Sequence, residues 1–202
     1  MSEYGYLPDS ANIEQSFGNN KGIFTPKDIY DLTRADKYTN YGQLELIETQ
    51  TISSTTASMD FTNLGNYNVH FITYNDFQGS SNASLTLLFS NDGGSSFITS
   101  GYGIAHQLGQ FTGAFSESKA TSFSDIRLTS GTANENGYCY MYNLTDSSKY
   151  SFTTSHTIGR SDFKFGSAVK PTAETHNAIR LIPAGVNIET LQASLYGIKE
   201  YS

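Results

Sequence analysis

Residues 138–144 read Tyr-Cys-Tyr-Met-Tyr-Asn-Leu. Tyr138, Tyr140, Tyr142 and Leu144 alternate with Cys139, Met141 and Asn143, the period of two that a half-buried strand gives and a helix does not. The period recurs on both sides of this stretch. Leu44 and Leu46 alternate with Gln43 and Glu45. Tyr67, Val69, Phe71 and Thr73 alternate with Asn68, His70 and Ile72, and Leu85, Leu87 and Phe89 with Thr86, Leu88 and Ser90. Shorter runs follow at Met59 and Phe61 and at residues 150–154, 179–181 and 191–198. Turn-forming clusters separate them: Leu64-Gly65-Asn66, Asn91-Asp92-Gly93-Gly94, Ser130-Gly131-Thr132, Asn136-Gly137 and Asp146-Ser147-Ser148. Many short strands at this spacing predict an all-β fold, an antiparallel jelly-roll-like β-sandwich. No linker interrupts residues 43–202, which read as one domain.

Residues 1–42 differ. Residues 1–24 show no period of 2 or 3.6 and read as an extended arm with widely spaced aromatics, Tyr4, Tyr6, Phe17 and Phe24. Such rings either anchor the arm on another surface or tuck back onto their own domain. A short helix is predicted near 26–38. Thr25 suits the N-cap, Pro26 the first helical position and Asp28 the positive end of the helix dipole. Ile29 and Leu32 share one face, with Tyr30 beside them.

Composition narrows the function classes. The chain has 202 residues, 37% hydrophobic and 15% charged, with 14 Tyr, 13 Phe and no Trp. Disordered chains have few aromatics, and coiled coils are rich in Ala, Glu, Lys and Leu, so neither class fits. The net charge is −7 and no Lys/Arg cluster occurs, so no nucleic-acid partner is expected. No apolar run approaches the roughly 18 residues of a membrane span. Residues 1–7 lack the basic and apolar parts of a secretory leader, so synthesis and assembly in a cytoplasm are expected. The single cysteine, Cys139, lies in an apolar run and reads as a small buried hydrophobe.

Chemical motifs are sparse. His70, His106, His156 and His176 show no metal-ligand spacing, and one cysteine cannot build a thiolate zinc site. There is no GxSxG elbow and no Cys–His pair at a familiar spacing. Asp76, Asp92, Glu117, Asp125 and Glu135 are available for glycoside cleavage, but nothing in the sequence pairs them. Residues 90–96, Ser-Asn-Asp-Gly-Gly-Ser-Ser, offer oxygen ligands yet lack the EF-hand pattern, and a plain turn is expected. No catalytic residue, metal or cofactor is therefore assigned. Tyrosines flanked by Asn, Ser and Thr suit either a binding surface or the wet outer face of a sandwich. Asn82-Ala83-Ser84 and Asn143-Leu144-Thr145 match the glycosylation pattern, which no leader supports.

Three stretches carry a resemblance. Residues 22–63 (GIFTPKDIYDLTRADKYTNYGQLELIETQTISSTTASMDFTN) with 67–74 (YNVHFITY), residues 85–97 (LTLLFSNDGGSSF) and residues 175–199 (THNAIRLIPAGVNIETLQASLYGIK) resemble small virion structural proteins of tailed bacteriophages, notably those of marine cyanobacteria. The resemblance implies a non-enzymatic, homotrimeric sandwich preceded by an arm that docks on other virion proteins. Phe17, Phe24, Ile29, Tyr30 and Leu32 would be the docking anchors. It implies a place in the virion: a tail, baseplate or fibre component touching a host-surface glycan or protein, or alternatively a capsid decoration protein. A carbohydrate-binding module and a depolymerase are the remaining readings, and the lack of Trp weighs against the first.

Overall fold

The computed structural model describes residues 26–34, 44–131 and 133–199. Backbone contacts divide the chain into residues 1–43 and 44–202. In the first unit the described element is the helix α1 (Pro26–Arg34). Proline at its first position presets φ, and Asp28 in the first turn and Arg34 in the last both complement the helix dipole. None of its residues is buried. The predicted continuation to residue 38 lies outside the described residues.

The second unit is an all-β sandwich of two antiparallel sheets. Its strands are β1 (Leu44–Ile52), β2 (Met59–Phe61), β3 (Val69–Gly79), β4 (Leu85–Ser90), β5 (Tyr102–Gln110) and β6 (Phe115–Phe123). They continue with β7 (Ile126–Arg127), β8 (Glu135–Tyr142), β9 (Ser151–Ile158), β10 (Asp162–Lys170), β11 (Ala178–Pro183) and β12 (Ile188–Ile198). The larger sheet has the order β1-β12-β3-β8-β9-β10-β5-β6 and the smaller β2-β11-β4-β7. The last two strands return between early ones, β11 between β2 and β4 and β12 between β1 and β3. The long stretch 175–199 thus closes both sheets.

One core fills the space between the sheets. Phe61, Leu85, Leu87, Phe89, Ile179 and Leu181 from the smaller sheet meet Ile72, Tyr74, Tyr102, Met141 and Leu195 from the larger, all fully buried. Each such side chain contributes about 1.5–3 kcal/mol of burial free energy. Tyr102 carries its hydroxyl inward and satisfies it twice, accepting from the Phe89 amide at 3.0 Å and donating to the Ile98 carbonyl at 3.1 Å. Cys139 is fully buried, and burial pushes its thiol pKa up.

Two readings of the sequence need correction. Asn136-Gly137 is not a turn: both residues lie inside β8. Glycine is required there by packing, since a Cβ would stand 2.4 Å from the His156 carbonyl oxygen. The turn lies just before it, where Gly131 takes a φ of +95°. Strands β5, β6, β7 and β10 were not expected. Gly103, Ala105, Gly109 and Gly166 interrupt the apolar alternation of β5 and β10, and β6 is an edge strand of exposed Ser, Glu and Lys.

Candidate functional site

Alternation sends half of each strand into the core and half outward. In β8, Cys139 and Met141 are fully buried while Tyr138, Tyr140 and Tyr142 face solvent. Register then lines up the outward residues of the larger sheet in rows. One row runs through all eight strands: Leu46, Tyr196, Phe71, Tyr140, Thr154, Ser167, Ala105 and Lys119. The next carries Thr73, Tyr138, His156, Phe165, Gln107 and Glu117.

The rings form a continuous network. Phe71 lies 4.6 Å from Tyr140, 5.8 Å from Tyr138 and 6.1 Å from Tyr196, centroid to centroid. Tyr138 continues to His156 at 6.0 Å and His156 to Phe165 at 6.5 Å. These contacts hold the rings in fixed positions, yet much of the face is bare. Tyr138 is 40% exposed, Phe152 43%, Phe165 44%, Ile158 55% and Leu46 59%. These side chains share the outer face of one sheet rather than being scattered singly over the surface.

The small side chains of Thr154, Ser167 and Ala105 leave a depression in this face. Tyr138, Tyr140, Tyr142, His156 and Phe165 line the resulting groove, of about 840 Å3, with the Glu117–Lys119 ion pair (3.2 Å) at its polar end. The site is thus shaped by ring-bearing rows beside a small-residue row, an arrangement that follows from register.

The sequence-based candidates are scattered. Phe17 and Phe24 lie outside the described residues. Ile29 and Tyr30 are exposed on α1, at 36% and 65%, and Leu32 is half-buried. Of the histidines, His156 sits on the aromatic face, and His106 also borders its groove. His70 is buried and bonded through Nε2 to the Leu64 carbonyl at 2.9 Å. Asp92 organises its own turn: it accepts from the Ser96 hydroxyl at 2.5 Å, the Ser96 amide at 2.9 Å and the Ser90 hydroxyl at 2.8 Å, bonds that hold its pKa down at about 2. Residues 90–96 are therefore a turn closed by its own carboxylate. No group of His, Cys, Asp and Glu suited to a metal ion occurs among the described residues.

One Ser–His–acid line does form. Ser151 Oγ lies 2.9 Å from His176 Nδ1, and His176 Nε2 lies 3.5 Å from Glu174 Oε1. Ser151 and His176 are both fully buried, and Phe89 packs on the imidazole at 4.9 Å. A nucleophile needs an approach for its substrate. This hydroxyl has none, and the line reads as a buried hydrogen-bonded pair.

Sequence reasoning missed a second polar cluster, at one end of the sandwich. Lys164 is 4% exposed and donates to the Thr129 carbonyl at 2.9 Å. Burial and the nearby Arg127 charge bring its pKa down to about 8. Glu135, fully buried, accepts through Oε1 from the Ser130 amide (2.8 Å), the Ser130 hydroxyl (2.6 Å) and the Gly131 amide (3.0 Å). Ser130 Oγ also lies 2.7 Å from the carboxylate of buried Asp162, which competes with Glu135 for the one hydroxyl proton. The cluster fastens the loop before β8 and borders a small cavity of about 140 Å3. Its only sequence signal was a lysine between two phenylalanines in β10.

No helix among the described residues is long and apolar enough to cross a membrane. No protein-family model, no curated protein and no solved structure matches this chain.

Proposed function

We propose that this chain is a non-enzymatic structural component of a tailed-bacteriophage particle, acting by assembly. The observation that carries the assembly part is the larger sheet's outer face, with packed rings left bare across a rigid sandwich. A sandwich of this kind spends its surface on contact with other proteins. The phage origin rests on the resemblance of residues 22–74, 85–97 and 175–199 stated above. The lead role is a tail, baseplate or fibre-associated sandwich, docked on other virion proteins by residues 1–42 and contacting the host surface. Capsid decoration is the alternative.

The test is immunogold labelling of intact particles with antibody against residues 43–202, paired with a blot of disrupted particles. Label at the tail or its fibres is the expected result. Label over the whole head would replace the lead role with decoration. Absence from both intact and disrupted particles would overturn the proposal.

A further inference from the structure

We infer that the outer face of the eight-stranded sheet is the interface between copies of this chain. The inference deepens the assembly reading of the same face by naming its partner.

Extent is the first argument. Eight strands about 4.8 Å apart span about 34 Å, and strands of 8–11 residues run about 26–36 Å. A partner laid over most of this face buries about 800 Å2 per chain, the size of a standard stable protein interface. A single sugar chain in the groove would leave Leu46, Phe152 and Ile158 as bare as before.

Charge is the second argument. The chain carries −7, so any two copies repel. The outward positions within residues 69–73, 138–142, 152–158 and 163–169 hold no Asp, Glu, Lys or Arg. The four central strands therefore offer an uncharged patch where two acidic copies meet at the least electrostatic cost. An acidic or basic partner protein would find no complementary charge there. Interface cores are enriched in Tyr and Phe and depleted of charge, which is the composition of this patch.

Prefixed ring positions are the third. Tyr138, Tyr140 and Phe71 already hold one another, so little side-chain entropy remains to be lost on contact. The groove over Thr154, Ser167 and Ala105 gives side chains of the second copy a place to enter.

The experiment is sedimentation velocity on the full chain from about 1 to 100 μM, a range that spans weak to firm self-association. The expected mass is twice 22.1 kDa, the closed pair that one face laid on its like produces. The double variant Tyr138→Glu, Phe165→Glu is expected to sediment as a single chain with an unchanged circular-dichroism spectrum. Hydroxyl-radical footprinting of the unmodified protein provides a second reading that needs no variant. Tyr138, Phe152 and Phe165 should be modified several-fold less at the high concentration than at the low one. A wild-type chain that stays monomeric throughout overturns the inference, as does a folded double variant that still associates. Glycan-array binding by a monomeric wild type would reassign the groove to a sugar. The two proposals fail separately: a self-associating chain absent from particles ends the virion role alone, and a monomeric chain present in particles ends this inference alone.

Discussion

Phe71 and Tyr140 face each other directly across β3 and β8, on the solvent side of the sheet, with ring centroids 4.6 Å apart. Their neighbours in sequence, Ile72 and Met141, point the other way and are fully buried. One residue of register thus separates the core from the outer face. Tyr140→Ala should cost the monomer about 1 kcal/mol, the worth of a half-buried cross-strand aromatic pair. Met141→Ala should cost about 2–5 kcal/mol, because it opens a cavity. Urea midpoints at low micromolar protein separate the two. Equal costs would mean that the face assignment is wrong.

Glu135 is the buried carboxylate on which the loop before β8 depends. Glu135→Ala strands the Ser130 and Gly131 amides without an acceptor. The expected loss is about 2–3 kcal/mol, read as a drop in Tm of several degrees. Proteolysis should then cut first near residues 128–134. An unchanged Tm would show that water replaces the carboxylate at no cost.

Asp60 and Arg180 are register partners across β2 and β11 and form a two-pronged ion pair, with both bonds at 2.6 Å. The guanidinium also lies 4.0 Å over the Phe97 ring. Lysine reproduces the charge but neither the fork nor the stack. Arg180→Lys should therefore destabilise by about 1 kcal/mol, the two side chains being partly exposed to solvent. Chemical denaturation measures it, and a change no larger than that of an exposed Lys→Ala variant would refute the role of the fork.

Acid should weaken the fold in a defined window. Burial, together with the charges of Lys164 and Arg127, brings the His106 pKa down to about 4, and burial lowers His70 and His176 in the same direction. Above pH 6.5 these rings are neutral whether the chain is folded or not. Between about 6.5 and 4 the unfolded chain takes up protons that the fold refuses, so stability falls as pH falls. His106→Gln should flatten part of that slope. Asp92, held at about 2, loses its contribution only further down, between about 3.8 and 2. Urea midpoints at pH 7, 5.5 and 4.5 test this, and a flat profile across the window would contradict it.

Legibility in the sequence followed side-chain size. β3, β4, β8 and β12 alternate large apolar residues with others, and their period was plain. β5 and β10 are built around Gly103, Ala105, Gly109 and Gly166, and a Cβ at Gly103 or Gly109 would press on the side chain of Val169 or Phe163. At Gly166 a Cβ would stand 2.3 Å from the His106 Cβ. Small residues demanded by packing erase the apolar signal that packing normally leaves. The tyrosines of β8 were legible as a surface or binding set, but not as part of a row. A row exists only once register has brought Tyr140, Thr154 and Ser167 side by side. The Lys164–Glu135 cluster was illegible for the same reason, since its members come from separate strands and a loop.

The most direct test of the account is the copy number of this chain in purified particles, measured by quantitative mass spectrometry against the major capsid protein. The account predicts that the chain is present in a small, fixed number of copies, as a tail-associated assembly requires. Its absence from purified particles would contradict the account.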